Sequence, residues 1–157
     1  MTDLERDDFS FALDRVGNQE PSEPRRVGRT ASAALHAASG RHVLVVEDDR
    51  AVRLLFTKVL QRAGYDVIAC ENGTLGLEAA RNQIEKIDAV VTDARMPGMQ
   101  GPRLIARIRA MRPEMPAILV SGNMPDAETD NATVFLTKPV SPGILTRELR
   151  RLLCARM

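Results

Sequence analysis

Two kinds of apolar spacing alternate along the chain from Arg41 onward. HVLVV (His42 to Val46) is a continuous, β-branched apolar run, which suits a strand covered on both faces. Behind it Val52, Leu55, Phe56, Val59, Leu60 and Ala63 recur at helical spacing between Asp49 and Gly64, with the glycine as a stop. YDVIAC predicts the next strand, Thr74 to Lys86 a helix with Leu77, Ala80 and Ile84 inward, and IDAVVTD a second fully buried strand. Pro102, at a first-turn position, opens a helix over Arg103 to Met111, after which PAILVSG and TVFLTK supply two more strands. Ser141 and Pro142 make the cap and first turn of a last helix through Leu145, Leu149, Leu152 and Leu153. Strand and helix alternate in the way that builds an α/β fold, a doubly wound five-stranded parallel sheet with right-handed crossovers.

One connection breaks the rhythm. From Gly122 to Thr133 the chain holds Pro125, Asn131 and few apolar positions. A helix takes about 11–12 residues and each flanking loop about 2–6, so a full crossover helix does not fit. The expectation is a shortened, irregular or missing fourth helix.

Residues 1–40 read differently from the rest. Asp3, Glu5, Asp7, Asp8, Asp14, Glu20 and Glu23 come early, then Pro21, Pro24, Arg25, Arg26 and Arg29, then the small-residue stretch TASAALHAASG. Segregated charge with few apolar residues points to a flexible or weakly helical extension, with a short helix over Leu4 to Val16 as an option. The domain proper is then 41–157.

Composition narrows the classes. A chain of 157 residues with 44% hydrophobic content suits one soluble domain. No apolar run approaches the ~18 residues of a membrane span, and MTDLERDDFS is acidic where a secretion signal would be basic and then apolar, so the expected compartment is the cytoplasm. Cys70 and Cys154 lie far apart without metal-ligand spacing and read as reduced structural thiols. A net charge of +1 argues against nucleic-acid binding through a large basic surface. Of the 22 basic residues only Lys58, Lys86 and Lys138 are lysines, so Lys138 departs from the chain's preference for arginine.

In an open parallel sheet ligands sit beyond the carboxyl ends of the strands, at the switch in strand order. There this sequence places Glu47, Asp48 and Asp49 after the first strand, Asp93 after the third, Ser121 after the fourth and Lys138 after the fifth. Grouped carboxylates repel and need a cation, and an all-oxygen site suits Mg2+, which takes one or two carboxylates plus waters and phosphate oxygens. Asp93 stands where its carboxylate could attack phosphorus, with Ser121 and Lys138 completing a phosphate clamp. Pro97 and Gly98 keep the strand or a helix from running on.

The set VLVVEDDRAVR, VVTDARMPGMQG, ILVSGN and VFLTKPV resembles the receiver domain of two-component response regulators, with its flavodoxin-like, CheY-like fold, in order and in spacing over Arg41 to Met157. In flavour it is similar to single-domain or hybrid-kinase-type alphaproteobacterial receivers with a reduced fourth helix. The resemblance implies that Glu47 and Asp48 help hold Mg2+ and that Asp49 caps the following helix. It implies that Asp93 is the phosphoacceptor and a metal ligand, and that Arg95 offers a backbone carbonyl to the metal. Ser121 corresponds to the switch hydroxyl, Lys138 to the family's lysine and Phe135 to the aromatic whose rotamer follows phosphorylation. Lys138 and Pro139 would be joined by a cis peptide.

The implied partners are a histidine kinase or histidine phosphotransfer protein, which supplies the phosphoryl group, and an unknown downstream protein. No nucleic-acid or membrane partner is expected. With no DNA-binding output in the sequence, signalling would run through protein contacts, by a monomer or weak dimer that is not a conventional enzyme. Arg50, Arg53 and Leu54 on the first helix are the expected docking residues, and Arg103 and Arg107 read as a solvated face. Two other readings stand beside this one. A haloacid-dehalogenase-type hydrolase would want a second Asp two residues after the nucleophile, where this chain has Arg95. A non-phosphorylated receiver-like scaffold usually lacks one of the acids or the lysine, all of which are present here.

Overall fold

The computed structural model describes residues 40–123 and 130–155. Nine elements follow in the order β1 (His42–Val46), α1 (Arg50–Arg62), β2 (Asp66–Cys70), α2 (Gly73–Gln83), β3 (Ile87–Asp93), α3 (Gly101–Met111), β4 (Ala117–Ser121), β5 (Thr133–Thr137) and α4 (Pro142–Cys154). The strands form one sheet in the order β2-β1-β3-β4-β5, and every neighbouring pair is parallel. After β1 the chain steps outward to β2, then returns past β1 to β3. The strand order therefore switches between β1 and β3, and a crevice opens at their carboxyl ends.

Both faces of the sheet are covered, and alternation along β1 shows how. Val43 and Val45 face a core with Phe56 and Leu60 of α1 and Leu145, Leu149, Leu152 and Leu153 of α4. Leu44 and Val46 face a second core with Leu77 and Ala80 of α2 and Leu104 and Ile108 of α3. All four β1 side chains are fully buried, which is why the strand reads as a continuous apolar run rather than an alternating one. At ~25 cal/mol per Å2 of apolar surface, two such cores supply the main drive for folding.

Local signals set the element ends. The Asp49 carboxylate accepts from the backbone N–H groups of Ala51 and Val52 at 2.8 and 3.0 Å, capping α1 as expected. Asn72 caps α2 through Leu75 N–H at 2.8 Å, which starts that helix at Gly73. It ends at Gln83, short of the expected Lys86. Ser141 Oγ caps α4, and Pro142 opens it. One residue of the expected α1 stripe lies outside it: Phe56 and Leu60 are buried and Val52, Val59 and Ala63 pack partly against the same core, whereas Leu55 is 46% exposed. A helix lying on one side of a sheet buries a single face, and Leu55 falls outside it.

Among the described residues no helix lies between β4 and β5. The centre of the reduced-helix expectation, residues 124–129, lies outside the described residues, as do residues 1–39 of the expected extension. What ties the far end of this connection down is α3. Arg109 donates to Asp130 Oδ2 at 2.6 Å, to the Ala132 carbonyl at 3.1 Å, to Thr133 Oγ1 at 2.9 Å and to the Met115 carbonyl at 3.1 Å. One guanidinium thus holds the entry to β5. Its fork geometry serves four acceptors at once.

Candidate functional site

The crevice at the switch point collects residues from three loops. β1 ends at Val46 and leads into Glu47 and Asp48, while β3 ends on Asp93 itself. Carboxylate oxygens of Glu47, Asp48 and Asp93 lie within 4.8 Å of one another. Glu47 is 1% and Asp93 7% exposed, whereas Asp48 faces solvent. Buried carboxylates this close repel one another, and the structure sets a cation against them. Lys138 Nζ donates to Glu47 Oε2 at 3.0 Å and to Asp93 Oδ2 at 3.1 Å.

The electrostatics follow from this contact. Burial pushes the Glu47 carboxyl above the ordinary carboxylate range, and the repulsion of Asp93 adds to it. Hydrogen bonds from Lys138 and the Asp49 backbone N–H oppose that rise without cancelling it. For Lys138 burial by itself would lower the ammonium's pKa. The hydrogen bonds to Glu47 and Asp93 outweigh it, so the pKa is raised. A protonated Lys138 is thus the stable form beside these acids.

Backbone geometry aims the Asp93 carboxylate. Its Oδ1 accepts from Arg95 N–H at 3.2 Å, so one oxygen is held by a backbone amide and the other by Lys138. Gly101 N–H closes the loop on the Ala94 carbonyl at 3.1 Å. A Cβ at Gly101 would run into the Asp93 carbonyl oxygen and the Leu119 side chain, so only glycine lets α3 start this close to β3. Gly98 has φ +79°, a left-handed turn within the same loop. Met96 is buried, and Met99 packs partly against the same core.

The remaining residues fall as follows. Ser121 ends β4, 7% exposed, one position past Val120, the register partner of Asp93. Its Oγ accepts from Asn123 N–H at 3.3 Å, and its carbonyl accepts from Lys138 N–H at 2.8 Å. The Lys138–Pro139 peptide is cis, as the resemblance implied. Phe135 is half-buried on β5 and packs against Ile105, Ala117 and Leu119, with Ala94 nearby. The crevice therefore unites Glu47, Asp48, Asp93, Ser121, Lys138 and the Arg95 backbone, and leaves Phe135 on the flank.

Sequence reasoning missed one supporting residue. Arg53 was expected to face a partner, but its Nη1 donates to the Glu47 carbonyl at 2.6 Å and to the Asp48 carbonyl at 3.3 Å, and Nη2 lies 4.0 Å from Glu71. It pins the acidic loop from one turn into α1. The signal was present in an arginine six positions after the first acid, the spacing that lets a first-turn side chain reach back over its own N-terminus.

Comparison with known proteins agrees with this fold. The sequence profile of the response regulator receiver domain matches residues 43–150. The transcriptional regulatory protein GlrR of Escherichia coli (strain K12) is 38% identical over 109 residues, 66% of this chain and 24% of that protein. The sensor kinase CckA of Brucella abortus (strain 2308) is 36% identical over 153 residues, 92% of this chain and 16% of that protein. The crystal structure of a response regulator receiver protein from Sinorhizobium medicae WSM419 superposes with a TM-score of 0.70 at 27% identity, covering 75% of this chain and 98% of that one. The chain belongs to the response regulator receiver domain family, the class of domain used in two-component signalling. It spans about a quarter of GlrR and a sixth of CckA. No helix among the described residues is long and apolar enough to cross a membrane.

Proposed function

We propose that this chain accepts a phosphoryl group from a phosphohistidine onto Asp93 and signals or relays through protein contacts. The observation that carries the reading is the Lys138 ammonium bridging Glu47 and Asp93 at 3.0 and 3.1 Å beside a three-carboxylate cluster. A carboxylate oxygen of Asp93 attacks phosphorus and a P–O bond forms. The P–N bond breaks, and its electron pair returns to the imidazole, which leaves neutral when its other nitrogen carries the proton. Asp93 is held for this by two donors, Lys138 Nζ and Arg95 N–H. Lys138 then exchanges its Asp93 contact for a phosphoryl oxygen, and Ser121 donates to another.

The donor set fits Mg2+: three hard carboxylate oxygens gather within 4.8 Å, close to the ~4.2 Å span of opposite ligands in an octahedron with ~2.1 Å bonds. Glu47, Asp48, Asp93 and the Arg95 carbonyl would hold it. Bound there, Mg2+ neutralises the charge that the acids and the phosphoryl oxygens accumulate.

The phosphodonor is a histidine kinase or a histidine phosphotransfer protein, met at the exposed Arg50, Leu54 and Leu55 of α1, beside the acidic pocket. Phe135, on the flank next to a connection without a described helix, is the residue through which phosphorylation changes the β5 face. The chain works in the cytoplasm, without nucleic acid or membrane, as a monomer or weak dimer. Incubation with phosphoramidate and Mg2+, followed by intact-mass measurement, tests the reading. The expected result is a single phosphoryl adduct that needs Mg2+ and is lost in Asp93→Asn. An adduct that persists in that variant, or none in the wild type, would overturn it and leave a non-phosphorylated scaffold.

A further inference from the structure

The three carboxylates of the crevice are not held alike. Glu47 is fixed through its own side chain, by Lys138 Nζ and the Asp49 N–H, and Asp93 by Lys138 Nζ and the Arg95 N–H. The Asp48 carboxylate is exposed and, among the described residues, has no hydrogen-bond or ion-pair partner. Only its main chain can aim it. The two peptide groups that flank the Asp48 Cα carry the carbonyls of Glu47 and Asp48, and Arg53 Nη1 donates to both, at 2.6 and 3.3 Å. The first contact has the short length of a charge-assisted bond. The second peptide is also held from its other end, where Asp49 N–H donates to Glu47 Oε1 at 3.1 Å. Because each residue has only two soft backbone dihedrals, fixing the peptide planes on both sides of Asp48 fixes the direction in which its side chain leaves. The guanidinium that does this is itself seated: the Arg53 side chain is 17% exposed, Nη2 lies 4.0 Å from Glu71 Oε2, and Arg53 N–H donates to the Asp49 carbonyl at 2.9 Å.

As a charge alone, Arg53 works against the site. A cation held on the loop that carries two of the three carboxylates disfavours a second cation among them. Its favourable contribution is geometric, and groups that orient metal ligands from outside typically change metal affinity by about 10–100-fold. We propose that Arg53 is a positioning residue for the divalent-cation site: it holds the peptides on either side of Asp48 so that this carboxylate stays within reach of Glu47 and Asp93, and so sets Mg2+ affinity rather than the phosphoryl-transfer step. The inference rests on the reading of the cluster as an Mg2+ site. Charge and geometry predict opposite signs for the loss of Arg53, tighter binding from the first and weaker binding from the second. A lysine keeps the charge but lacks the planar fork whose two arms face the carbonyls and Glu71, so it can restore only part of the effect.

Mg2+ titration followed by the amide chemical shifts of the full chain, stripped beforehand with EDTA, tests this. Four proteins are compared: wild type, Arg53→Ala, Arg53→Lys and Glu71→Gln, with retained dispersion of the β3 and β4 amides as the check on folding. The expected result is a dissociation constant raised about 10–100-fold in Arg53→Ala and by less in Arg53→Lys. Glu71→Gln should change it by under about twofold, because that ion pair is exposed on the glutamate side. Phosphorylation by phosphoramidate, extrapolated to saturating Mg2+, should return to the wild-type rate in both arginine variants. Unchanged or tighter Mg2+ binding in Arg53→Ala would overturn the proposal and leave the Mg2+ site standing. A rate deficit that persists at saturation would also overturn it, since Arg53 would then act on the chemistry. If Arg53→Ala loses its amide dispersion, Arg53→Lys decides alone, and an affinity equal to that of wild type overturns the proposal. Wild type without saturable shifts at residues 47, 48 and 93 would overturn the Mg2+ reading itself, and this inference with it.

Discussion

Replacing Lys138 with alanine removes the one ammonium set between two buried carboxylates, and the structure gives the size and sign of the result. Two charge-assisted hydrogen bonds, at 3.0 and 3.1 Å, are lost, each worth about 1.5–3 kcal/mol. Removing one partner of a fully buried pair costs about 3–5 kcal/mol. Glu47 is 1% exposed and the Lys138 side chain 30%, so water screens part of the loss. The expected destabilisation is about 2–4 kcal/mol at pH 8 in EDTA.

Its pH dependence follows from two raised pKa values. The folded-state pKa of Lys138 lies above its unfolded value, so its stabilisation is fully present below the unfolded pKa near 10.5 and is lost only as pH rises through the folded one. The lysine is therefore charged throughout pH 5 to 8. Glu47, raised by burial, takes up its proton earlier than an ordinary carboxylate as pH falls. Once neutral it no longer needs the ammonium. The penalty must therefore shrink toward pH 5, and urea denaturation at both pH values, in EDTA and then in Mg2+, measures it. A loss under about 0.5 kcal/mol at pH 8, or a larger loss at pH 5 than at pH 8, would refute the reasoning.

Other outcomes follow from single contacts. Arg109→Ala should destabilise by about 1–3 kcal/mol and raise amide exchange in β5 above that in β1, because it frees the segment held at Asp130, Ala132 and Thr133. Burial opposes, but hydrogen bonds from Thr133 and Ala132 and the charge of Arg109 outweigh it, leaving the Asp130 pKa lowered. The stability Asp130 contributes is thus present above its unfolded pKa and lost as pH falls through the folded one, so Asp130→Asn should matter at pH 7 and not at pH 2. Gly101→Ala should cost more than about 2 kcal/mol in thermal unfolding, since the new methyl group meets the Asp93 carbonyl and Leu119. Asp49→Ala should cost about 1 kcal/mol through the α1 cap, with the acidic crevice otherwise unchanged.

Most of the sheet was legible because burial on both faces leaves its mark on every position. HVLVV and IDAVVTD became β1 and β3 residue for residue, and the acids that follow them landed together at the switch point. Caps were legible for the same local reason: Asp49, Ser141 and Pro142 act within three residues of themselves. What periodicity could not convey was rotation and reach. Leu55 satisfies helical spacing yet points outward, because spacing does not tell a helix how wide its buried face will be. Arg53 was expected to dock a partner and Arg109 drew no expectation, but each folds onto backbone carbonyls, in Arg109's case across elements far apart in sequence. Long side chains make such contacts only when the tertiary structure brings an acceptor near. Phe135 illustrates a further limit, since its half-buried position depends on Ile105, Ala117 and Leu119 of neighbouring elements, which its own strand pattern does not encode.

The most direct test of the central claim is to locate the phosphoryl group. The protein is phosphorylated by a small-molecule donor with Mg2+, the acyl phosphate is reduced with borohydride, and the peptides are mapped by mass spectrometry. Homoserine at position 93 alone is the expected result. Homoserine at position 48, or a map identical to that of untreated protein, would contradict the account.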